Sequence, residues 1–274
     1  MDKIEEKFKQ AELTELKMET SKQALKARLL KAYSSRAKNT GFSWYIKAAA
    51  VAVACAFTYA AYTVIDNMDD GDRFNKNGGV WSTYSDAHQG GDSSVWPPEH
   101  ATPGEGFIMS SPGYGGSGWA VKITGSTGYA LGPDYNYLGV VVRFDKKSAC
   151  PTCEGSDISA YKGISFRIKG DLKGGKLRFI LPAESGKCDM ERMTCVSRTE
   201  YADYEYEITD KVGREWQQVM ISFRDDLKQP SWTPERNRVS MESVLKQVHL
   251  FKWQYKNGSG ARMEIMLDDV ALLE

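Results

Sequence analysis

One segment constrains this chain before any other. From residue 42 to residue 65 it reads FSWYIKAAAVAVACAFTYAAYTVI, 24 residues in which Lys47 carries the only charge. About 20 such residues cross the hydrocarbon core of a bilayer as a helix, so residues 42–65 are expected to form a transmembrane signal-anchor. Lys47 lies one turn from the start, where its stem can snorkel to the headgroups, and Trp44, Tyr45, Tyr59 and Tyr62 fall where interfacial aromatic belts sit.

The flanks set orientation. Lys26, Arg28, Lys31, Arg36 and Lys38 precede the run, and Asp66, Asp69, Asp70 and Asp72 follow it. The positive-inside bias keeps the N-terminus in the cytoplasm and translocates the rest to the periplasm or the cell exterior, anchored in the cytoplasmic membrane. Three rivals fit less well: a cleaved signal peptide, a lipoprotein box at Ala52-Val53-Ala54-Cys55, and a buried helix of a soluble protein. The basic stretch before the run is too long for the first, and the apolar run continues past Cys55 against the second.

Residues 1–41 lack proline and, before Gly41, glycine; Ile4, Phe8 and Ala11, then Leu25, Leu29 and Ala32, recur at helical spacing. A basic cytoplasmic helix is expected there, either setting topology or docking a protein partner. Charge divides the same way: residues 1–42 hold ten Lys and Arg against six Asp and Glu, residues 66–274 hold 25 against 30. An acidic body without a basic stripe excludes a nucleic-acid partner.

Beyond residue 66 the pattern changes to period two. Ile164, Phe166 and Ile168 alternate with Ser165, Arg167 and Lys169; Leu177, Phe179 and Leu181 flank Arg178; Tyr204, Tyr206 and Ile208 flank Glu205 and Glu207. Residues 140–144, 218–223, 248–253, 263–267 and 270–273 add runs of strand length. Many short strands without long helices between them predict an all-β sandwich over residues 66–274. The linkage 170–175 reads as a hairpin turn, which makes strands 164–169 and 176–181 antiparallel neighbours and gathers Cys150, Cys153, Cys188 and Cys195 at one end of the sheet. Four cysteines in polar loops of an oxidising compartment predict two disulfides. Pairing is open between 150 with 153 and 188 with 195, or a crossed arrangement; a four-thiolate zinc site is the rival, weakened because only Cys150-Pro-Thr-Cys153 has knuckle spacing.

No catalytic constellation is legible. His88, His100 and His249 are scattered, neither G-x-S-x-G nor H-E-x-x-H occurs, and the glycines at 113, 115, 116 and 118 follow Pro112 in a loop. A non-enzyme without an organic cofactor is expected. The chain has seven Trp and fourteen Tyr, and aromatic rings on a β-sheet face stack on the C–H faces of sugars.

Six segments in order carry a resemblance: Ile65-Asp66-Asn67-Met68-Asp69-Asp70-Gly71-Asp72, Gly79-Val80-Trp81-Ser82-Thr83-Tyr84-Ser85-Asp86, Tyr137-Leu138-Gly139, Tyr161-Lys162-Gly163-Ile164-Ser165-Phe166, Gln229-Pro230-Ser231-Trp232 and Leu267-Asp268-Asp269-Val270. Together they resemble the family 11 carbohydrate-binding modules and the related galactose-binding-like sandwiches that include the complex I assembly-factor domain. The resemblance implies a jelly roll whose concave sheet holds a β-glucan-like polysaccharide on Tyr84, Tyr137, Trp232 and Trp253. It also implies one structural calcium, for which Asp66, Asp69 and Asp268 offer hard oxygen ligands. Residues 88–112 and the loop after Ala183 are longer than in simple modules of that family and can reshape the face. The function expected is a membrane-anchored, non-catalytic glycan-binding module of the cell envelope; the alternative is an envelope assembly protein whose sandwich binds a protein partner.

Overall fold

Alternation in the sequence becomes two facing sheets in the computed structural model, which describes residues 62–99, 109–191 and 194–274. The strands are β1 (Tyr62–Asp66), β2 (Trp81–Ser85), β3 (Ser94–Trp96), β4 (Val121–Ser126), β5 (Tyr137–Arg143), β6 (Gly163–Lys173), β7 (Lys176–Leu181), β8 (Glu184–Asp189), β9 (Thr194–Ser197), β10 (Tyr204–Glu207), β11 (Gln217–Ser222), β12 (Leu250–Lys256) and β13 (Arg262–Leu273). One sheet runs β11-β6-β13-β4-β3, with β1 also paired to β13; the other runs β10-β7-β12-β5-β2; β8 and β9 form a separate hairpin. Every strand pair is antiparallel. Among the described residues this is an all-β sandwich with one short α-helix, α1 (Met241–Leu245), capped by the Ser240 side chain, which accepts from the Ser243 N–H.

The two inner faces supply the core. Phe166 of β6 meets Trp253 of β12 edge to face at 5.2 Å, and Phe179 of β7 meets it at 5.5 Å. Trp81 of β2 stacks on Trp253 at 5.6 Å. All four are fully buried, together with Ile123, Leu138, Ile164, Ile168, Ile265 and Leu267. Such interlocked rings contribute about 0.5–1.5 kcal/mol per pair beyond the area they bury.

Two sequence expectations are corrected here. Tyr62 to Ile65, read as the end of the membrane helix, are in strand β1, paired with β13 from Tyr62↔Leu273 to Asp66↔Val270. Thr63, Val64 and Ile65 are β-branched and follow an alanine-rich run, and branched side chains suit a pleated strand better than a helix. The rest of that segment, residues 42–61, and the basic stretch 1–41 lie outside the described residues. Among the described residues no helix is long and apolar enough to cross a membrane.

The second correction concerns residues 170–175. β6 continues to Lys173, and the turn at Gly174 carries the chain across to the opposite sheet, so β6 and β7 are not paired. Period two fixes which residues share a face but not which sheet a strand joins. A corner keeps the same two loops together as a hairpin does, and the cysteines do meet: Cys150 is bonded to Cys188 and Cys153 to Cys195, with Cα atoms 5.4 and 5.7 Å apart. The pairing is the crossed one, and it ties the β5–β6 loop to the β8–β9 hairpin.

Candidate functional site

The outer face of the five-stranded sheet is built by strict alternation. On β12, Phe251, Trp253 and Tyr255 point inward and are buried, so Lys252, Gln254 and Lys256 point outward. On β5, Leu138, Val140 and Val142 fill the core and leave Tyr137, Gly139 and Arg143 outside. Tyr84 of β2 stands opposite Gly139, and Gly139 opposite Gln254, which is opposite Arg178 of β7.

Gly139 determines how Tyr84 lies. A Cβ at residue 139 would sit 2.8 Å from two ring carbons of Tyr84, so only glycine lets the ring lie down across the strand. Its hydroxyl is buried beside Gln254 without meeting the geometry of a hydrogen bond, and burial pushes it well above the usual tyrosine range. The Tyr137 ring is 6.0 Å from that of Tyr84, and Lys252 Nζ stands 6.0 Å above the Tyr84 ring.

Tyr137 is held from two sides. Its backbone N–H donates to Asp86 Oδ2 at 3.0 Å, and the buried Asp86 also accepts from the Ser93 backbone and hydroxyl. His88 Nδ1 is 3.0 Å from the Ser85 carbonyl, which can only accept, so Nδ1 carries a proton, and Nε2 lies 3.4 Å from Tyr137 Oη. Burial, with Asp86 and Glu99 nearby, raises the Tyr137 phenol. Tyr201, 66% exposed and also near enough to act on that phenol, is a further aromatic of this face that sequence reasoning missed.

Val141 and Ile180, on either side of Lys252, also face outward and are buried; beside them stand ionic groups. Arg178 pairs with Glu205 at 3.1 Å and Lys176 with Glu207 at 3.0 Å. Arg143 Nη1 donates to the Ser148 carbonyl at 2.9 Å. Glu184 Oε2 is buried without a hydrogen bond, and burial raises this carboxyl against the pull of Lys252, His249 and Arg143. The disulfides brace this end of the face: Cys195 Sγ lies 3.4 Å from the same Ser148 carbonyl, and His249 Nε2 lies 2.9 Å from the Cys153 carbonyl.

The sequence-predicted stacking residues separate. Tyr84 and Tyr137 come together. Trp253 is fully buried in the core and does not face solvent, which corrects its assignment to the glycan face; Tyr255, its neighbour in the pattern, is buried as well. Trp232 is 67% exposed, on a loop tied to β10 through the paired Lys228 and Glu205, at the sheet edge opposite β2. A shallow cleft of about 820 Å³ lies elsewhere, lined by Cys153, Arg198, Glu242 and Lys246 among others.

The carboxylates expected to hold calcium are already hydrogen-bonded within the fold. Asp66 is buried, with Oδ1 accepting from the Met68 N–H and Oδ2 from Trp81 Nε1 at 2.7 Å, one hydrogen bond to each oxygen. Asp268 accepts from the Tyr114 and Asp269 N–H groups and is raised to about 6 by burial and by the negative charge of Asp269 and Asp69. Among the described residues, the only three or more acidic, His or Cys side chains with ligand atoms within 4.8 Å of one another are Cys150, Cys153 and Cys188.

Asp66, Glu184, Asp268 and Asp269 are all raised, chiefly by burial. A raised carboxyl contributes stability that is complete below its ordinary value, 3.8 for Asp and 4.5 for Glu, and is lost as pH rises through its folded value, about 6 for Asp268. Asp92, Asp145 and Asp157 are lowered, so theirs is lost only in stronger acid. The unfolding midpoint in chelator is therefore expected to be higher at pH 5 than at pH 8, by ~3 °C after solvent screening. A midpoint that climbs from pH 5 to 8 would contradict this.

No protein-family profile matches the sequence, and neither does any curated protein. Solved structures similar to this chain include the family 11 carbohydrate-binding module of a cellulosomal cellulase of Clostridium thermocellum, at 16% identity over 79% of this chain and 96% of that one, TM-score 0.45. A family 11 module of the same organism, in complex with a β-1,3-1,4-mixed-linked tetrasaccharide, is similar at 17% identity over 77% of this chain and 95% of that one, TM-score 0.46. A family 30 module of a cellulosomal cellulase from that organism follows at 15% over 67% and 91%, TM-score 0.41.

Proposed function

We propose that this protein is a non-catalytic glycan-binding module whose outer five-stranded face holds a polysaccharide, displayed at a membrane by residues 42–61. The Tyr84 ring laid across Gly139 carries this reading: it is a flat apolar platform, flanked by Tyr137, with Gln254 and Lys252 beside it as polar partners for sugar hydroxyls. Tyr201, near Tyr137, adds to the aromatic surface, and Trp232 is exposed on the loop at the β10 edge. A hard cation at Asp66, Asp69 and Asp268 belongs to the same proposal, because each oxygen of Asp66 and Asp268 accepts one hydrogen bond and keeps a second lone pair.

Affinity electrophoresis of the full-length chain against soluble β-glucans, xylans and mannans tests it. Tyr84→Ala is expected to weaken binding by about 2- to 13-fold, the range of one aromatic contact. Equal retardation of the variant would remove Tyr84 from the site.

The alternative, a protein partner, is favoured by the other sheet. There Arg167 stands 4.3 Å from the centre of the Tyr114 ring, Lys169 stands 4.8 Å from that of Trp216, and Met220 is 60% exposed beside them on β11. An exposed cluster of aromatics, cations and methionine is the composition of protein interfaces.

A further inference from the structure

The glycan reading leaves one feature of the face without a purpose. Residues 66–274 are acidic as a whole, with 25 Lys and Arg against 30 Asp and Glu, yet the outer surface of β5, β7 and β12 presents Arg143, Lys176, Arg178, Lys252 and Lys256. Arg178 and Lys176 are matched by Glu205 and Glu207. The other three have no ion pair within 4 Å among the described residues. Arg143 spends one nitrogen on a carbonyl, and Lys252 stands over the Tyr84 ring. Glu184 acts on Arg143 and Lys252, and Glu205 and Asp134 act on Lys256.

Two of these cations are also partly desolvated. Burial lowers Arg143 and Lys256, and Arg178 lowers Lys256 further. A cation that loses water without gaining an anion costs free energy, and a bound anion recovers it. Lys252 and Lys256 lie four residues apart on one strand, roughly 13 Å, with Gln254 between them and Tyr84 and Tyr137 alongside. The row is therefore longer than one small anion and runs parallel to the aromatic platform.

We infer that this face takes an acidic polysaccharide, whose carboxylate or sulfate groups meet Lys252, Lys256 and Arg143 while its rings lie on Tyr84 and Tyr137. This rests on the glycan reading of the same face. The surrounding acidic surface repels polyanions in general and confines their binding to this row, which gives the site its selectivity.

The test is affinity electrophoresis and calorimetry of the full-length chain with polygalacturonate, alginate, chondroitin sulfate and neutral mixed-linkage β-glucan, each at about 20 and 300 mM salt. Acidic glycans are expected to bind more tightly than neutral glucan, to weaken at high salt, and to lose roughly tenfold in affinity with Lys252→Ala or Lys256→Ala. Lys122→Ala, on the opposite sheet, is expected to leave binding unchanged, and unfolding midpoints of the variants check that each is folded. Preference for uronates or for the sulfated glycan identifies the anionic group. Neutral glucan bound as tightly as the acidic ones, or acidic binding indifferent to salt and to both lysine variants, overturns the inference and leaves the glycan reading standing. Binding to none of the four, nor to xylans and mannans, removes both.

Discussion

Trp253→Ala is expected to destabilise the domain by about 3–5 kcal/mol, the cost of deleting a fully buried indole from a packed core. Trp253 sits among Trp81, Phe166 and Phe179, all completely buried, and the cavity left behind cannot close without moving both sheets. For a domain of this size that corresponds to a fall of about 6–20 °C in the unfolding midpoint. Urea titration checks it, and Trp253→Phe is expected to recover part of the loss because it returns an aromatic to the same pocket. A variant that keeps its stability and loses glycan binding would place the indole on the outer face, against the alternation of β12.

The second large effect is redox-dependent. The bonds Cys150–Cys188 and Cys153–Cys195 close stretches 38 and 42 residues apart, for which loop-closure entropy gives about 4 kcal/mol for the first bridge removed. The second contributes less, because the two loops overlap almost completely and one bridge already restricts the unfolded chain. Urea unfolding with and without a strong phosphine reductant measures the sum, and Cys153→Ala with Cys195→Ala isolates the inner bridge. Reduction also releases the hairpin beside Ser148, whose carbonyl Arg143 holds, so affinity for a ligand of this face is expected to fall with stability. Unchanged stability under full reduction would show that the bridges do not restrain the fold.

Much of the architecture was readable from period two. The runs at Ile164, Leu177, Gln218 and Met263 are strands β6, β7, β11 and β13, and the break at Asp268 and Asp269 is a bulge within one strand. Sheet membership was not readable, because alternation is the same for a hairpin and for a corner. Disulfide pairing depends on that three-dimensional return and was left open for the same reason. Trp253 is more instructive: Phe251, Trp253 and Tyr255 share one face and Lys252, Gln254 and Lys256 the other, so the strand itself declared the indole inward. The resemblance pointed to the residue type, while the pattern pointed to its neighbours. Gly139 was quoted only as part of a motif, and its meaning, room for a ring laid flat, needed the opposite strand to become visible.

Strand β1 has a mechanical consequence. Any pull transmitted along the chain from upstream enters the described fold at Tyr62. β1 is hydrogen-bonded to β13 from Tyr62↔Leu273 to Asp66↔Val270, and at its far end Asp66 accepts from Trp81 of the five-stranded sheet. A load between the five-stranded sheet and the chain upstream thus passes through one short antiparallel ladder and a buried indole–carboxylate bond, which makes β1 the element expected to yield first.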